Sequence, residues 1–475
     1  MKYLLIALGL LGLVSCGEES SGNKQPTPSL SPDAPGVPID PDLKLGPDYF
    51  KSIEITKRSC FGSDVQTLSL PVNHDYPEEA SFPYRFQFVD NKVESTIIHI
   101  PGGPGQTAIG TEASKKSLLY NHIFIDPRGM GCNFQPKSLM SDDLLASKHH
   151  ASDIIAIIEN LGLESYAIYG VSYGTVVATH ISHLLKDRKE MPQPKAVVLE
   201  GVLGKAMQGD EYEQNFKRQW EDMKARIPGL GRLFQDSEKL PLAYTSSEWT
   251  TLLTTLLSYG GETAEVYFVA LVNPHNYEEG RVKKVFDKLL GKDEKHQELD
   301  VSINYTGYRR VYNNVGCKEI FDTSRYVNYL VGETFEVFDL ADYLEEGLDL
   351  EGTVGLCTSV ELSDPFDASD YQMTDVPTYY VHGENDPRTS LEGAKYHFES
   401  QEGLSKKFFV EVTKAGHNPL GIQLDDCSTA IWWRIFRGEE LQSYPLNMQG
   451  LCNSRGIAVG TLSSQSLGNL KNINF

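Results

Sequence analysis

Strand-like and helix-like stretches alternate along the chain. Two runs in which apolar and polar residues alternate with period two, 65–70 and 84–89, predict antiparallel strands that bury one face. The next run, 95–100, is apolar almost throughout, which suits a strand covered on both sides. A further strand is predicted at 122–126, and residues 153–161 then set Ile154, Ile155, Ile158 and Leu161 at helical spacing. A short strand-like run at 166–169 leads into a second helix-spaced segment, 175–185, and 196–200 reads as another strand, broken by Gly201. This alternation predicts an α/β architecture: a mostly parallel sheet with helices on both faces and functional loops at the carboxyl ends of the strands. From 205 to 370 the pattern changes to long polar and aromatic helical segments such as 212–226 and 247–259. Strand signals return at 376–382 and 407–412, followed by an amphipathic helix at 425–436. The simplest organisation is one sheet domain, residues 46–204 and 371–475, interrupted by a helical cap insertion at 205–370.

The amino terminus reads differently. Residues 1–16 carry one basic residue and then an apolar run of about a dozen, too short to span a bilayer and suited to an export signal. Leu13-Val14-Ser15-Cys16 resembles the bacterial lipobox, whose cysteine is lipidated and becomes the new N-terminus. Cys16 is therefore the expected lipid anchor. Neither Gly17 nor Glu18 is the aspartate that retains lipoproteins in the inner membrane, which points to the outer membrane, facing the periplasm or the cell surface. Residues 17–45 are rich in Ser, Gly and Pro and read as a flexible tether.

Composition narrows the field further. With 40% hydrophobic and 23% charged residues the chain is not disordered throughout. A formal net charge of −22 argues against nucleic acid as a partner, since a polyphosphate binder needs a basic face to displace counterions. Beyond Cys16 the cysteines are Cys60, Cys132, Cys317, Cys357, Cys427 and Cys452, and an even set in an exported chain suggests disulfides without choosing their pairing. Neither C-x-x-C nor H-E-x-x-H occurs, so no metal site is indicated and no cofactor is expected. The adjacent His149 and His150 read as a surface feature before a helix.

Candidate chemistry starts from Gly170-Val171-Ser172-Tyr173-Gly174, a serine between two glycines at a strand-to-helix seam. A strained turn there can lift a hydroxyl clear of the backbone, and a side chain at either glycine would collide with the adjoining element. Ser172 is the expected nucleophile. A serine needs a base, and the base needs an acid to fix its tautomer and stabilise the imidazolium. Asp386, in Gly383-Glu384-Asn385-Asp386, and His417, in Ala415-Gly416-His417, each follow a predicted strand. Glu384 is the rival acid, with Asp386 preferred because Gly-x-x-Asp suits the turn. Donors for a developing oxyanion are expected from the N–H of Gly103, in Pro101-Gly102-Gly103-Pro104-Gly105, and from that of Tyr173.

These residues together resemble peptidase family S33, the proline iminopeptidase and tripeptidyl aminopeptidase group of α/β-hydrolases. The likeness rests on Pro101-Gly-Gly-Pro-Gly105, Asp126-Pro-Arg-Gly-Met-Gly131, Gly170-Val-Ser-Tyr-Gly174, Gly383-Glu-Asn-Asp386 and Gly416-His417, in the triad order Ser172, Asp386, His417. Pro101 before the glycine pair resembles the tripeptidyl branch. The family pattern Asp-x-Arg-Gly-x-Gly-x-Ser ends here in Asn133, and the loop after Gly105 lacks the usual Ser-Gly. The resemblance implies a serine exopeptidase acting on peptides with a free N-terminus through an acyl-enzyme. It also implies acidic residues at the cap and sheet margin that hold the substrate's ammonium, for which Glu200 and Glu319 are the candidates. Arg128 would be a buried structural ion-pair residue. The implied disulfides are Cys427–Cys452, Cys317–Cys357 and Cys60–Cys132. The same fold hosts esterases and lipases, and an inactivated hydrolase used for surface binding is a third reading.

Overall fold

The computed structural model describes residues 59–109, 120–234, 240–259, 261–272, 282–284, 286–287, 290, 310–322, 357, 360–412, 415–422, 432, 434–438 and 459–463. Eleven strands are found among them. β1 (Val65–Pro71), β2 (Ser81–Val89), β3 (Thr96–Ile100), β4 (Asn121–Ile125), β5 (Tyr166–Val171) and β6 (Ala196–Glu200) precede the cap insertion. β7 (Met207–Gln208) and β8 (Phe321–Asp322) lie within it, and β9 (Thr378–Gly383), β10 (Lys407–Val412) and β11 (Val459–Ser463) follow. Nine of these form one sheet in the order β1-β2-β4-β3-β5-β6-β9-β10-β11. Pairing is antiparallel for β1–β2, β2–β4 and β10–β11 and parallel elsewhere. A parallel sheet of this order with an antiparallel β2 is the α/β-hydrolase fold.

Alternating side chains explain the layers. On β3, Ile98 and Ile100 pack on one face with Ile123 and Ile125 of β4 and with Val176 and Ile181 of α2 (Tyr173–Lys186). Ile97 faces the other way with Tyr169, Val198, Tyr379, Val381, Trp432 and Ile435. Both faces are therefore covered, as the continuous apolar run at 95–100 requires. The chain order reverses beside β3: β4 lies on one side of it and β5 on the other. The loops after β3 and β5 thus meet at a topological switch point, the position where such sheets hold their ligands.

Helix α1 runs Ser147–Leu161, six residues longer at its start than the apolar spacing suggests. His149 and His150 belong to its first turn and are buried, which corrects their reading as surface residues. Burial holds both imidazoles down at about 4, so they pack as neutral rings, and His74 stacks on His149. Gly162 ends the helix at φ 58°, donating back to Glu159 and Ile158.

The cap contains α3 (Gly209–Arg226), α4 (Ser246–Tyr259) and α5 (Gly261–Val272). Trp220, Phe234, Trp249 and Phe286 stack edge to face in sequence with ring centroids 5.4, 4.9 and 5.6 Å apart, and this aromatic row is continuous with the core on the α1/α2 face of the sheet. A π-helical turn, Tyr312–Ile320, leads into β8, which pairs with β7. The chain leaves and rejoins the sheet at one place, where Lys205 bridges Asp367 and Ala206 N–H donates to Phe366 O at 2.7 Å. Helix α6 (Leu391–Ser400) links β9 to β10 and α7 (Pro419–Ile422) follows β10. The strand β11 has no counterpart in the sequence reading, because five residues with a glycine second carry too weak an alternation. Of the helix expected at 425–436, all but Trp432 and residues 434–436 lies outside the described residues.

Candidate active site

Ser172 joins β5 to α2 with φ 55° and ψ −122°, a conformation that L-residues rarely take. Its neighbours make the turn possible. A Cβ on Gly170 would stand 2.2 Å from Gly174 O, and one on Gly174 would stand 2.4 Å from Ile100 O. The two glycines therefore permit strand, helix and β3 to close on one another, as the elbow requires. Ser172 N–H donates to Glu200 O at 2.8 Å, and the Thr175 hydroxyl returns to Ser172 O at 2.6 Å.

His417 follows β10. Its ring lies against Gly201, where a Cβ would come within 2.9 Å of Cε1, so the end of β6 touches both the Ser172 backbone and the imidazole. Nδ1 meets Asp386 Oδ2 at 2.8 Å. Nε2 is buried with no hydrogen-bond partner among the described residues. A neutral imidazole whose Nδ1–H is given to a carboxylate presents Nε2 as an acceptor.

Asp386 meets the imidazole; Glu384, two residues nearer β9, is exposed. The Arg388 and Thr389 amides donate to Asp386 Oδ1 at 2.8 and 3.1 Å, and the Thr389 hydroxyl donates to Oδ2 at 2.7 Å. Burial alone would raise this carboxyl, but the facing His417, His382 and the Thr389 hydroxyl outweigh it and hold the pKa at about 2. His382, at the end of β9, accepts the Val202 N–H at Nδ1 and donates from Nε2 to Thr389 O, which fixes it as a neutral ring bracing the acid turn. Thr389 and His382 were not singled out in the sequence. The spacing Asp-x-x-Thr was a usable signal for the first; nothing local marks the second.

The loop after β3 reaches Ser172. A Cβ on Gly102 would lie 3.0 Å from Ser172 Cβ, and Gly103 has φ 119°. Tyr173 opens α2, so its N–H is one of the first-turn amides that a helix leaves without an internal acceptor. The continuation of the loop is fastened from the strand end of β4: Asp126 Oδ1 accepts the Ala108 and Ile109 amides at 2.8 and 2.9 Å, and Oδ2 that of Cys132 at 2.9 Å. Burial pushes the Asp126 carboxyl up to about 6 despite these three donors. Asn133, which stands where the family pattern has serine, donates to Arg85 O and Asp126 O at 2.9 Å. Arg128 is buried, bonded to Asp153 through Nε at 2.8 Å and Nη2 at 2.6 Å.

The two carboxylates expected at a substrate ammonium, Glu200 and Glu319, are both buried and hydrogen-bonded. Glu200 is fully buried at the end of β6 and bonds to the Tyr169 hydroxyl and the Leu420 amide. Glu200 thus ties the end of β6 to the start of α7. Glu319 is 5% exposed and accepts from Ser147 N–H, at 3.1 Å, and from the Ser147 hydroxyl. It lines a cavity of about 160 Å³ with His180, His183, Asp364, Phe366 and Tyr371, and neither Ser172, Asp386 nor His417 is among the lining residues. Disulfides join Cys60 to Cys132 and Cys317 to Cys357. Cys16, Cys427 and Cys452 lie outside the described residues. No group of three or more His, Cys, Asp or Glu side chains among the described residues could hold a metal ion.

No protein-family model matches the chain and no curated protein is similar to it. Among solved structures it is similar to a thermophilic esterase from Thermogutta terrifontis, at 15% identity over 78% of this chain and 99% of that one, with a TM-score of 0.39. A proline iminopeptidase from Mycobacterium smegmatis gives 12%, 78%, 98% and 0.39 in the same order. A 2-hydroxy-6-oxo-6-phenylhexa-2,4-dienoate hydrolase from a Rhodococcus strain gives 14%, 78%, 99% and 0.40. Likeness of this degree does not select among those activities; the strand order above identifies the fold.

Proposed function

We propose that the protein is a serine hydrolase that works through an acyl-enzyme, and that its substrates are peptides with a free N-terminus. The supporting observation is the buried His417–Asp386 hydrogen bond, with His417 Nε2 left without a partner among the described residues and with the end of β6 touching both the imidazole and the backbone of a serine at φ 55°. In this reading Ser172 Oγ attacks the scissile carbonyl carbon while His417 Nε2 takes the hydroxyl proton. Asp386, ionised in this environment, stabilises the imidazolium. The N–H groups of Gly103 and Tyr173 hold the oxyanion, a contribution worth about 2.7–4 kcal/mol per donor. Collapse breaks the C–N bond, and His417 returns the proton to the leaving amine. Water, deprotonated by His417, then attacks the acyl-enzyme, releases the acid and restores Ser172.

The exopeptidase half of the proposal rests on the S33-like motifs and on a cap that restricts access to chain ends. A fluorophosphonate should label the wild type and leave Ser172→Ala unlabelled; labelling that survives the substitution means another nucleophile. Aminoacyl and tripeptidyl amides assayed beside short acyl esters separate peptidase from esterase, and ester turnover without amide cleavage would sink the peptidase reading. We also propose export and lipid anchoring through Cys16, with the chain tethered at the outer membrane. Cys16→Ala should then abolish incorporation of labelled fatty acid, and persistent incorporation would refute the anchor.

A further inference from the structure

We propose that the last turn of α4, in the cap, belongs to the catalytic machinery, with Ser258 as the positioning residue that sets the His417–Asp386 pair. The inference rests on the hydrolase reading above and assigns the cap a task besides selecting substrates.

The geometry converges on one residue. The His417 N–H, in a residue only 3% exposed, donates to Ser258 O at 2.7 Å. A buried amide needs an acceptor, and the last carbonyls of a helix lack an internal donor; Ser258 is the penultimate residue of α4. Each group thus completes the other. The Ser258 side chain makes a second grip. Its hydroxyl donates to Thr254 O at 2.6 Å, which turns the oxygen lone pairs toward Arg388, whose Nε donates to Ser258 Oγ at 2.7 Å. The Arg388 amide in turn donates to Asp386 Oδ1. A guanidinium at the carboxyl end of a helix is also favoured by the helix dipole. One cap residue therefore holds the base by its backbone and the acid turn through Arg388. The other supports of His417 come from the sheet: Asn385 N–H donates to Ala415 O at 2.9 Å, and Glu200 takes the Leu420 N–H. Among the described residues the cap also reaches the acid turn where the Ser390 hydroxyl donates to Glu211 at 2.9 Å, but the Ser258 grip is the one that touches both His417 and, through Arg388, Asp386.

Ser258→Ala leaves the carbonyl in place and removes only the hydroxyl; Arg388→Gln removes its partner, and Arg388→Lys keeps the charge. With p-nitrophenyl acetate, too small to span the cap, kcat and the rate of fluorophosphonate inactivation should fall about tenfold in Ser258→Ala and Arg388→Gln, the scale of a lost charge-assisted hydrogen bond. KM and the thermal midpoint should stay near wild type. Arg388→Lys should recover part of the loss, and the double variant should be no worse than the more impaired single one. The far-downfield proton resonance between His417 Nδ1 and Asp386 should broaden in both single variants. Wild-type inactivation rates in the variants, a rise in KM with kcat unchanged, or losses that track the thermal midpoint would each overturn the proposal. A wild-type protein that takes no label fails differently, since it removes the hydrolase reading and the latch with it.

Discussion

Asp386 and Glu319 are both buried carboxyls, yet their surroundings move them in opposite directions. Asp386 is held at about 2, from an ordinary 3.8, because the facing His417, His382 and the Thr389 hydroxyl outweigh burial. A depressed carboxyl contributes stability above its unfolded pKa and loses it as pH falls toward the folded one. Glu319 is pushed by burial from 4.5 to about 7, against the Ser147 donors. Its contribution is complete below 4.5 and is lost as pH rises through 7. Urea midpoints of the wild type should therefore decline from pH 5 to pH 8 relative to those of Glu319→Gln, an uncharged mimic of the protonated acid. Parallel curves would mean that Glu319 titrates normally. The difference between the wild type and Asp386→Asn should instead collapse between about pH 4 and pH 2. The sequence marked Ser172, Asp386 and His417 because each stands just past an apolar strand. It could not mark Glu200 as a brace, since a glutamate ending a strand reads the same whether it faces a substrate or the Leu420 amide.

At the level of elements, glycines divide by what lies beside them. Gly170 and Gly174 are surrounded by backbone, whereas a Cβ on Gly162, which unlike them has positive φ, would meet nothing within 4 Å. Gly162→Ala should cost about 1 kcal/mol, the backbone penalty of a left-handed residue alone. Gly170→Ala must move β5 away from α2 and should cost upward of about 3 kcal/mol and abolish labelling of Ser172. Chemical denaturation of the two variants compares them directly, and equal losses would show that the elbow is looser than drawn. Strand positions were legible because burial on one face or two writes itself into the residue alternation at 65–70, 84–89 and 95–100. The start of α1 was not, because its first turn buries histidines, one of them stacked on His74, and a pair of adjacent imidazoles reads as polar in the sequence. The grip of Ser258 on His417 was illegible for a simpler reason: a backbone carbonyl carries no residue-specific signal.

Across the whole molecule, the cap is tied down late in its course. Cys317, in the π-helical turn, pairs with Cys357, 40 residues on, and Gly316 packs toward Pro104 of the loop after β3. Closing a loop of that length stabilises by roughly 4 kcal/mol in the chain-entropy account. Cys317→Ser/Cys357→Ser should lower the unfolding free energy by a comparable amount and slow turnover, since the turn facing the glycine loop loses its anchor. Unchanged turnover would place that turn outside the working site. The other consequence concerns how such a molecule diversifies. Because Ala206 and Phe366 are hydrogen-bonded neighbours, the chain leaves and rejoins the sheet at one point, and among the described residues none of the nine main-sheet strands lies between them. Insertions, deletions or wholesale exchange there leave the chemistry's frame in place while altering what can enter. One condition limits that freedom: any replacement has to bring its own helix end to the amide of His417.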